Sequence, residues 1–204
     1  MKGATRALAA AACLALCLPQ WLPAPTSLVE QVRAKIAVSQ PFRTDFIQQV
    51  FIDGEMSLEE SGFIVFVDRS HVKWQYLKPE NKTFILENGR YRFFDRENNQ
   101  LLTGTIGPGN EQIIWDLLCA PRPGQVSRWD ERTRTIRLNV DNGAGPQEVK
   151  IRIGTDLLPE RVEQAAASEV SHVYLFSHYR TGIAVGPSEF ALDLPVDVEI
   201  IEQE

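Results

Sequence analysis

The sequence predicts a mainly β protein with a few helices: an incomplete, unclosed antiparallel β-barrel with an α-helical lid over an apolar cavity. From Phe42 onward, apolar residues tend to recur at every second position, which is the period of a strand. Turn signals such as Asp53-Gly54 and Asn88-Gly89 separate these segments and favour antiparallel hairpins. So many strands curl, and their lumen is too wide for wall side chains alone to fill, so amphipathic helices are expected to cover it.

The first element is an export signal. Lys2 and Arg6 precede an apolar run from Ala7 to Leu18, which is too short to cross a bilayer and has the length of a signal-peptide core. We therefore expect residues 1–24 to be a signal peptide and residues 25–204 to form a single domain.

Two alternatives to a cleaved and released protein remain open. The signal could stay attached as a membrane anchor. Lipid attachment at Cys17 is the other, although Leu16 is larger than the residue that normally precedes a lipidated cysteine.

The charge of the exported chain excludes some classes of partner. Cleavage removes Lys2 and Arg6 and moves the formal net charge from −6 to about −8. An acidic domain without a basic cluster in its sequence argues against nucleic acid and against anionic lipid surfaces. Cys119 is the only cysteine outside the signal, so no disulfide is expected within the exported chain.

An amphipathic helix is predicted from Ser27 to Val38. Ser27 and Glu30 fit a capping box, in which each side chain accepts a hydrogen bond from the backbone N–H of the other residue. Apolar residues then recur at helical spacing, at Leu28, Val29, Val32 and Ile36.

Alternating segments bounded by turn residues predict the strands, with a second short helix between the two groups. The first group is Phe42–Ile52, Leu58–Val67, His71–Leu77, Thr83–Glu87, Arg90–Asp95 and Gln100–Ile106. The helix begins at Asn110, presents Ile113 and Leu117 on its apolar face, and ends before Pro121. The second group is Gln125–Trp129, Thr133–Val140, Gln147–Ile153, Glu160–Ala166 and Glu169–Arg180, and a last short strand is expected from Phe190 to Glu199.

Motifs for catalysis, metal binding and cofactor binding are missing from the sequence. It contains no GxSxG, HExxH or CxxC pattern and no phosphate-binding glycine loop. His172 and His178 share a face of one predicted strand but are roughly 20 Å apart at the rise of a strand, too far to bind one metal ion. We therefore predict a protein that is not an enzyme and has no catalytic residue, metal or cofactor.

Apolar side chains exceed what one face of a sheet needs. The run from Phe63 to Val67 is apolar at every position, so both faces of that strand are apolar. With the export signal and the curled sheet, this excess favours a container for an apolar ligand.

Several short motifs, in order along the chain, resemble those of the periplasmic outer-membrane lipoprotein carriers (LolA-like proteins). They are Phe46-Ile-Gln48, Ser61-Gly62, Arg69, Trp74-Gln-Tyr76, Pro79, the hairpin from Asn88 to Asp95, and Phe190 leading into Leu194-Pro195-Val196. The resemblance spans the whole predicted mature chain. Ser70 stands where the family usually has proline, and Arg69 is one residue closer to Trp74 than is usual.

The resemblance implies a monomeric periplasmic carrier. Its partners would be acylated lipoproteins or other lipids, an inner-membrane transporter that releases lipoproteins, and an outer-membrane acceptor. It also implies that Arg69 is a latch that holds the helical lid shut through helix-end carbonyls. The candidates for lining the acyl cavity are Phe46, Ile64, Phe66, Trp74, Tyr76, Phe93, Ile113 and Leu117. Two alternatives of the same fold stay open: an acceptor tethered to the outer membrane, and a lipid-sensing regulatory module.

Overall fold

The computed structural model describes residues 27–105, 126–141, 146–165 and 170–203. The predicted signal peptide, the second helix and the cavity candidates Ile113 and Leu117 lie outside these ranges. Within them the chain forms one α-helix, one short 3₁₀ turn and a single sheet of twelve strands.

Helix α1 spans Leu28–Ser39 and begins where the capping box predicts. The Ser27 hydroxyl accepts a hydrogen bond from the Glu30 N–H at 3.3 Å, and the Glu30 carboxylate accepts one from the Ser27 N–H at 2.9 Å. A cap of this kind typically stabilises a helix by about 1 kcal/mol. Val32 and Ile36 are fully buried, which fixes the face that α1 turns toward the sheet.

The strands lie within a residue or two of their predicted bounds, apart from the start of the second strand and the position of the last. They are β1 Phe42–Ile52, β2 Glu55–Asp68, β3 His71–Lys78, β4 Lys82–Glu87, β5 Arg90–Asp95, β6 Gln100–Thr105, β7 Val126–Asp130, β8 Thr135–Asp141, β9 Pro146–Ile153, β10 Pro159–Ala165, β11 Val170–Thr181 and β12 Glu199–Glu202. The order in the sheet is β12-β6-β5-β4-β3-β2-β1-β11-β10-β9-β8-β7, and only β12 pairs in parallel, with β6. Because β12 and β7 are the two ends of this order, the sheet is not closed. The predicted class, an unclosed and mainly antiparallel β-barrel with a helix on it, is confirmed.

One face of the sheet is concave. Trp74 on β3 and Tyr174 on β11 are three strand steps apart, about 14 Å along a flat sheet. Their ring centroids are nevertheless only 5.8 Å apart, so the sheet must curl to bring them together. The helix residues Val32 and Ile36 belong to the same buried cluster as the side chains of this face. The main core is therefore held between α1 and the concave face.

The convex face has a second, smaller core under the C-terminal segment. Val65 and Ile85 face away from α1 and are still almost fully buried. The Lys73 ammonium donates a hydrogen bond to the Glu189 carbonyl at 2.8 Å, and the Arg92 guanidinium donates one to the Phe190 carbonyl at 2.9 Å. These bonds hold residues 187–193 across the convex face. This cover explains why the run Phe63–Val67 is apolar on both sides.

The predicted last strand from Phe190 to Glu199 is wrong. Phe190 ends a 3₁₀ turn, Pro187–Phe190, and the strand begins only at Glu199. The carbonyls of Glu189 and Phe190 bind side chains of the sheet instead of a neighbouring strand, and Pro195 has no N–H for a ladder. The apolar residues of this segment serve as cover, not as a strand.

Candidate functional site

The sequence-predicted cavity residues that the structure describes lie on the concave face. Phe46, Ile64, Phe66 and Trp74 are at most 8% exposed. Phe46 forms the centre, because its ring centroid lies 5.1 Å from that of Trp74 and 5.1 Å from that of Tyr76, both edge to face. Such aromatic pairs prefer this arrangement. We refer to Phe46, Trp74 and Tyr76 as the aromatic cluster.

Phe93 is farther out on the same face. It is partly exposed on β5 and pairs with Phe84 of β4, which in turn pairs with Trp74 of β3. Phe84 packs against the main core from its partly buried position. The aromatic surface therefore extends from the centre of the sheet toward β5.

Arg69 is exposed in the turn between β2 and β3. Because Phe42 pairs with Phe66, this turn is at the end of the sheet where α1 joins β1. The Asp68 carboxylate shapes the turn: its Oδ1 accepts from the Ser70 N–H at 2.7 Å and lies 3.0 Å from Nδ1 of His71. Burial alone would raise the pKa of Asp68, but the bonds from His71 and Ser70 outweigh it and hold the pKa below its usual value. The N–H of Ser70 therefore donates a hydrogen bond that a proline at this position could not form.

Polar side chains occupy the other end of the concave face, and the sequence analysis did not predict a polar site there. Gln48 and Glu60 pair across β1 and β2 and are only 8% and 7% exposed. The Tyr76 hydroxyl donates to Oε1 of Gln48 at 3.2 Å, and the Lys82 ammonium donates to Oε1 of Glu60 at 3.3 Å. Tyr174 pairs with Gln48 from the β11 side.

His172 completes this group. It pairs with Val50 of β1, and its ring is parallel to that of Tyr174, with centroids 6.4 Å apart. Its Nδ1 is buried without a hydrogen-bond partner in the part of the chain that the structure describes. We call Gln48, Glu60, Tyr76, His172 and Tyr174 the polar end of the concave face.

The electrostatics of the polar end depend on burial and on Glu60. Burial and the negative charge of Glu60 raise the pKa of Tyr174 to about 12. Burial, Tyr174 and Glu60 raise the pKa of Tyr76 as well. Burial lowers the pKa of His172, although the negative charge of Glu60 acts in the opposite direction. The lowered pKa favours the neutral form of the ring. One carboxylate thus acts on all three neighbouring groups.

The predicted face of His178 is wrong. His172 lies on the concave face, but between Arg43 and Asp45 of β1 the ladder slips, and β11 contributes one residue more than its partner there. His178 has a positive φ of 54° at this bulge, and its Nδ1 lies 3.1 Å from Oδ2 of Asp45. The bulge turns His178 away from the face of His172.

The fold also gathers cations that are scattered in the sequence. A cavity of about 540 Å³ on the convex face of β8–β10 is lined by Arg132, Arg137, Lys150, Arg152 and Arg161, with Asp130 and Glu163 among them. Some of these cations form ion pairs, such as Arg161 with Glu163 at 2.7 Å within the cavity and Arg137 with the neighbouring Glu148 at 2.9 Å. A sequence without a basic cluster therefore still forms a basic surface, although exposed pairs of this kind contribute little stability.

The described ranges contain neither a metal-binding group of side chains nor a membrane-spanning helix. No group of three or more His, Cys, Asp or Glu residues in them is placed to hold a metal ion. No helix in the same ranges has both the length and the apolar character needed to cross a membrane.

Comparison with known proteins identifies structural neighbours only. No protein-family model matches the sequence, and no curated protein matches it. The chain is similar to an uncharacterized conserved protein from Thermus thermophilus, at 12% identity and a TM-score of 0.53 over 87% of this chain and 100% of that one. It also aligns with a LolA superfamily protein from Nitrosomonas europaea, at 9% identity and a TM-score of 0.48 over 82% and 99% of the two chains. A third alignment is with the Pseudomonas aeruginosa MucA/MucB complex, at 12% identity and a TM-score of 0.45 over 81% and 61%. At this identity the first likeness shows a shared fold and nothing about activity.

Proposed function

We propose that this protein is an exported carrier without catalytic activity that binds the acyl chains of lipids on its concave face. The observation that supports this most is the aromatic cluster of Phe46, Trp74 and Tyr76 at the centre of a curled, unclosed sheet. At about 0.8 kcal/mol per buried CH₂, one long acyl chain in water costs on the order of 10 kcal/mol, so carrying it across an aqueous compartment requires a shielded surface.

The way α1 is held fits such a role. Val32 and Ile36 join it to the main core through apolar contacts, and β1 pairs with β2 and β11, not with the helix. Apolar contacts are non-directional, so an acyl chain can replace those of the helix at a similar free energy. In the described part of the chain the backbone ladders of β1 run to β2 and β11, so they do not depend on the position of α1.

In its finer form, we propose that the cargo is the acylated part of lipoproteins in the periplasm. The protein would take it from an inner-membrane transporter and pass it to an outer-membrane acceptor. The support for this step is the sequence resemblance, in particular Phe46-Ile-Gln48, Ser61-Gly62, Arg69 and Trp74, together with the N-terminal export signal.

Analysis of bound lipid tests the proposal. Protein purified from the periplasm of an expressing bacterium is expected to yield acylated species, about one per molecule, on solvent extraction and mass spectrometry. Delipidated protein should then rebind a fluorescent fatty acid. A protein that is empty on purification and also fails to bind the fatty acid would contradict the proposal.

If Arg69 is a latch, replacing it should impair the transfer of an acyl ligand but not its binding. Arg69→Leu should leave acyl binding unchanged, because Arg69 lies in an exposed turn and not among the buried aromatic residues. Onward transfer to acceptor membranes should fall at least tenfold, because the five guanidinium donors no longer favour the closed, empty state that drives release. Arg90→Leu is the matched control, since Arg90 is exposed beside the β4–β5 turn at the same end of the sheet. Equal transfer by wild type and Arg69→Leu would remove the latch from the proposal.

A further inference from the structure

The polar end of the concave face is unexpected in a surface that binds acyl chains. We propose that it is a subsite for the head group of an acylated ligand, and that it selects a head group that donates hydrogen bonds, a protonated amine above all. This inference rests on the proposed function, since it names the chemistry of the ligand that the same face would take.

The polar end is continuous with the aromatic cluster through one residue. The ring of Tyr76 contacts Phe46 at a centroid distance of 5.1 Å, and its hydroxyl donates to Oε1 of Gln48 at 3.2 Å. Gln48 pairs with Glu60 on β2. A ligand with its chain on Phe46 and Trp74 would therefore have its polar group beside Gln48 and Glu60.

The charges at the polar end favour a cation. The Lys82 ammonium is 3.3 Å from Oε1 of Glu60 and 2.5 Å from Oε2 of Glu80, so one positive charge is shared by two carboxylates. The net charge of these three groups is negative. Glu60 is also the most buried of the three, with its side chain only 9% exposed, so solvent screens it least. A phosphate or carboxylate head group would meet this charge, whereas an ammonium would be attracted to it.

The hydrogen-bonding groups point to the same ligand chemistry. The carboxylate of Glu60 can only accept a hydrogen bond, so it favours a head group that donates one. Nδ1 of His172 is buried without a partner among the described residues, and it accepts a hydrogen bond in the tautomer that carries its proton on Nε2. A buried polar atom without a hydrogen bond is unfavourable, so a head group that reached it would remove that cost. If the polar end were only a structural part of the core, each of its atoms would be expected to be paired, as Tyr76 and Gln48 are.

Three probes with one chain length separate the head group from the chain. They are dodecylamine, dodecanol and dodecanoate. Each is titrated below its micelle concentration or its solubility limit into the delipidated full chain at neutral pH, with displacement of a fluorescent fatty acid as the signal. Dodecylamine is expected to bind at least tenfold more tightly than dodecanoate, as one additional charge-assisted hydrogen bond would allow. The affinity for dodecanol should lie between the affinities for the other two probes.

Matched variants assign the preference to Glu60. Glu60→Gln should reduce the ratio of the affinities for dodecylamine and dodecanoate to about threefold or less. Glu59→Gln is the control, because Glu59 is the adjacent, exposed residue on the opposite face and should leave the ratio unchanged. Lys82→Gln removes the compensating ammonium and should increase the ratio, which provides a test of opposite sign if Glu60→Gln does not fold.

The outcomes distinguish the two proposals. Equal binding of all three probes, or a preference that neither Glu60→Gln nor Lys82→Gln changes, would overturn the head-group subsite and leave acyl binding standing. Failure of every probe to bind would overturn the proposed function and the subsite with it.

Discussion

Gly62→Ala is expected to destabilise the protein by about 3 kcal/mol or more, a large part of the stability of an ordinary domain. A Cβ at this position would lie 1.8 Å from the backbone oxygen of Gln75 on β3, far inside van der Waals contact. The close approach arises at a register shift, where Ser61 pairs with Lys78 and Gly62 with Tyr76. Because a backbone atom blocks the space, β3 itself would have to move, and with it Tyr76 of the aromatic cluster.

Chemical denaturation of Gly62→Ala beside Gly186→Ala checks this prediction. A Cβ on Gly186 would have Ser188 Oγ at 3.9 Å as its nearest neighbour, which is ordinary contact. Both changes stiffen the unfolded chain equally, so Gly186→Ala should be neutral or stabilising by about 0.4–1 kcal/mol. A Gly62→Ala protein as stable as Gly186→Ala would show that β2 and β3 are farther apart than this register requires. Acyl binding should be lost together with folding, since Gly62 pairs with Phe46 on its other side.

Local patterns were sufficient to predict most of this fold. The capping box located the start of α1, and the period of two together with Asn88-Gly89 located β4 and β5 to within one residue. Such signals depend on neighbours in sequence. The parallel pairing of β12 with β6 joins Glu199 to Gln100, residues about a hundred positions apart, and no local pattern records it. The apolar residues after Phe190 have the composition of a strand, but tertiary contacts decide that they cover the convex face.

The candidate site was predicted in its apolar part only. Alternation correctly places Trp74 and Tyr76 on one face, and the contacts of Phe46 follow from pairing across β2. The polar end combines Gln48, Glu60 and His172 from three strands. In sequence, Glu59 and Glu60 are two equivalent charged residues, yet one is exposed and the other almost fully buried. Only the register of the sheet distinguishes them, so the buried carboxylate of the proposed head-group subsite could be found only from the structure.

A large loss of folding stability is also expected at alkaline pH. Burial raises the pKa of Tyr76, Tyr174 and Tyr179 above the ordinary value of 10.0, that of Tyr174 to about 12. A phenol with a higher pKa in the folded state holds its proton more tightly there than in the unfolded chain. Below about pH 10 the phenols are protonated in both states, and their contribution to stability is fully present. As the pH rises above 10, the unfolded chain loses its protons first, and this stability is lost as the pH approaches the folded-state pKa values.

The size of this loss predicts cooperative alkaline unfolding. Each phenol lowers the free energy of unfolding by up to about 1.4 kcal/mol per pH unit, so the three together lower it by up to about 4 kcal/mol per pH unit. For a domain of ordinary stability, we expect unfolding between about pH 11 and pH 12. The tyrosinate absorbance of three of the four tyrosines should change together with the far-UV circular dichroism in one titration, because these three phenols ionise when the protein unfolds. Tyr174→Phe cannot ionise at that position and should move the midpoint to higher pH. Tyrosinate absorbance of three residues that developed near pH 10 in a still folded protein would contradict the burial of the concave face. It would also contradict the shielded surface on which the proposed acyl binding depends.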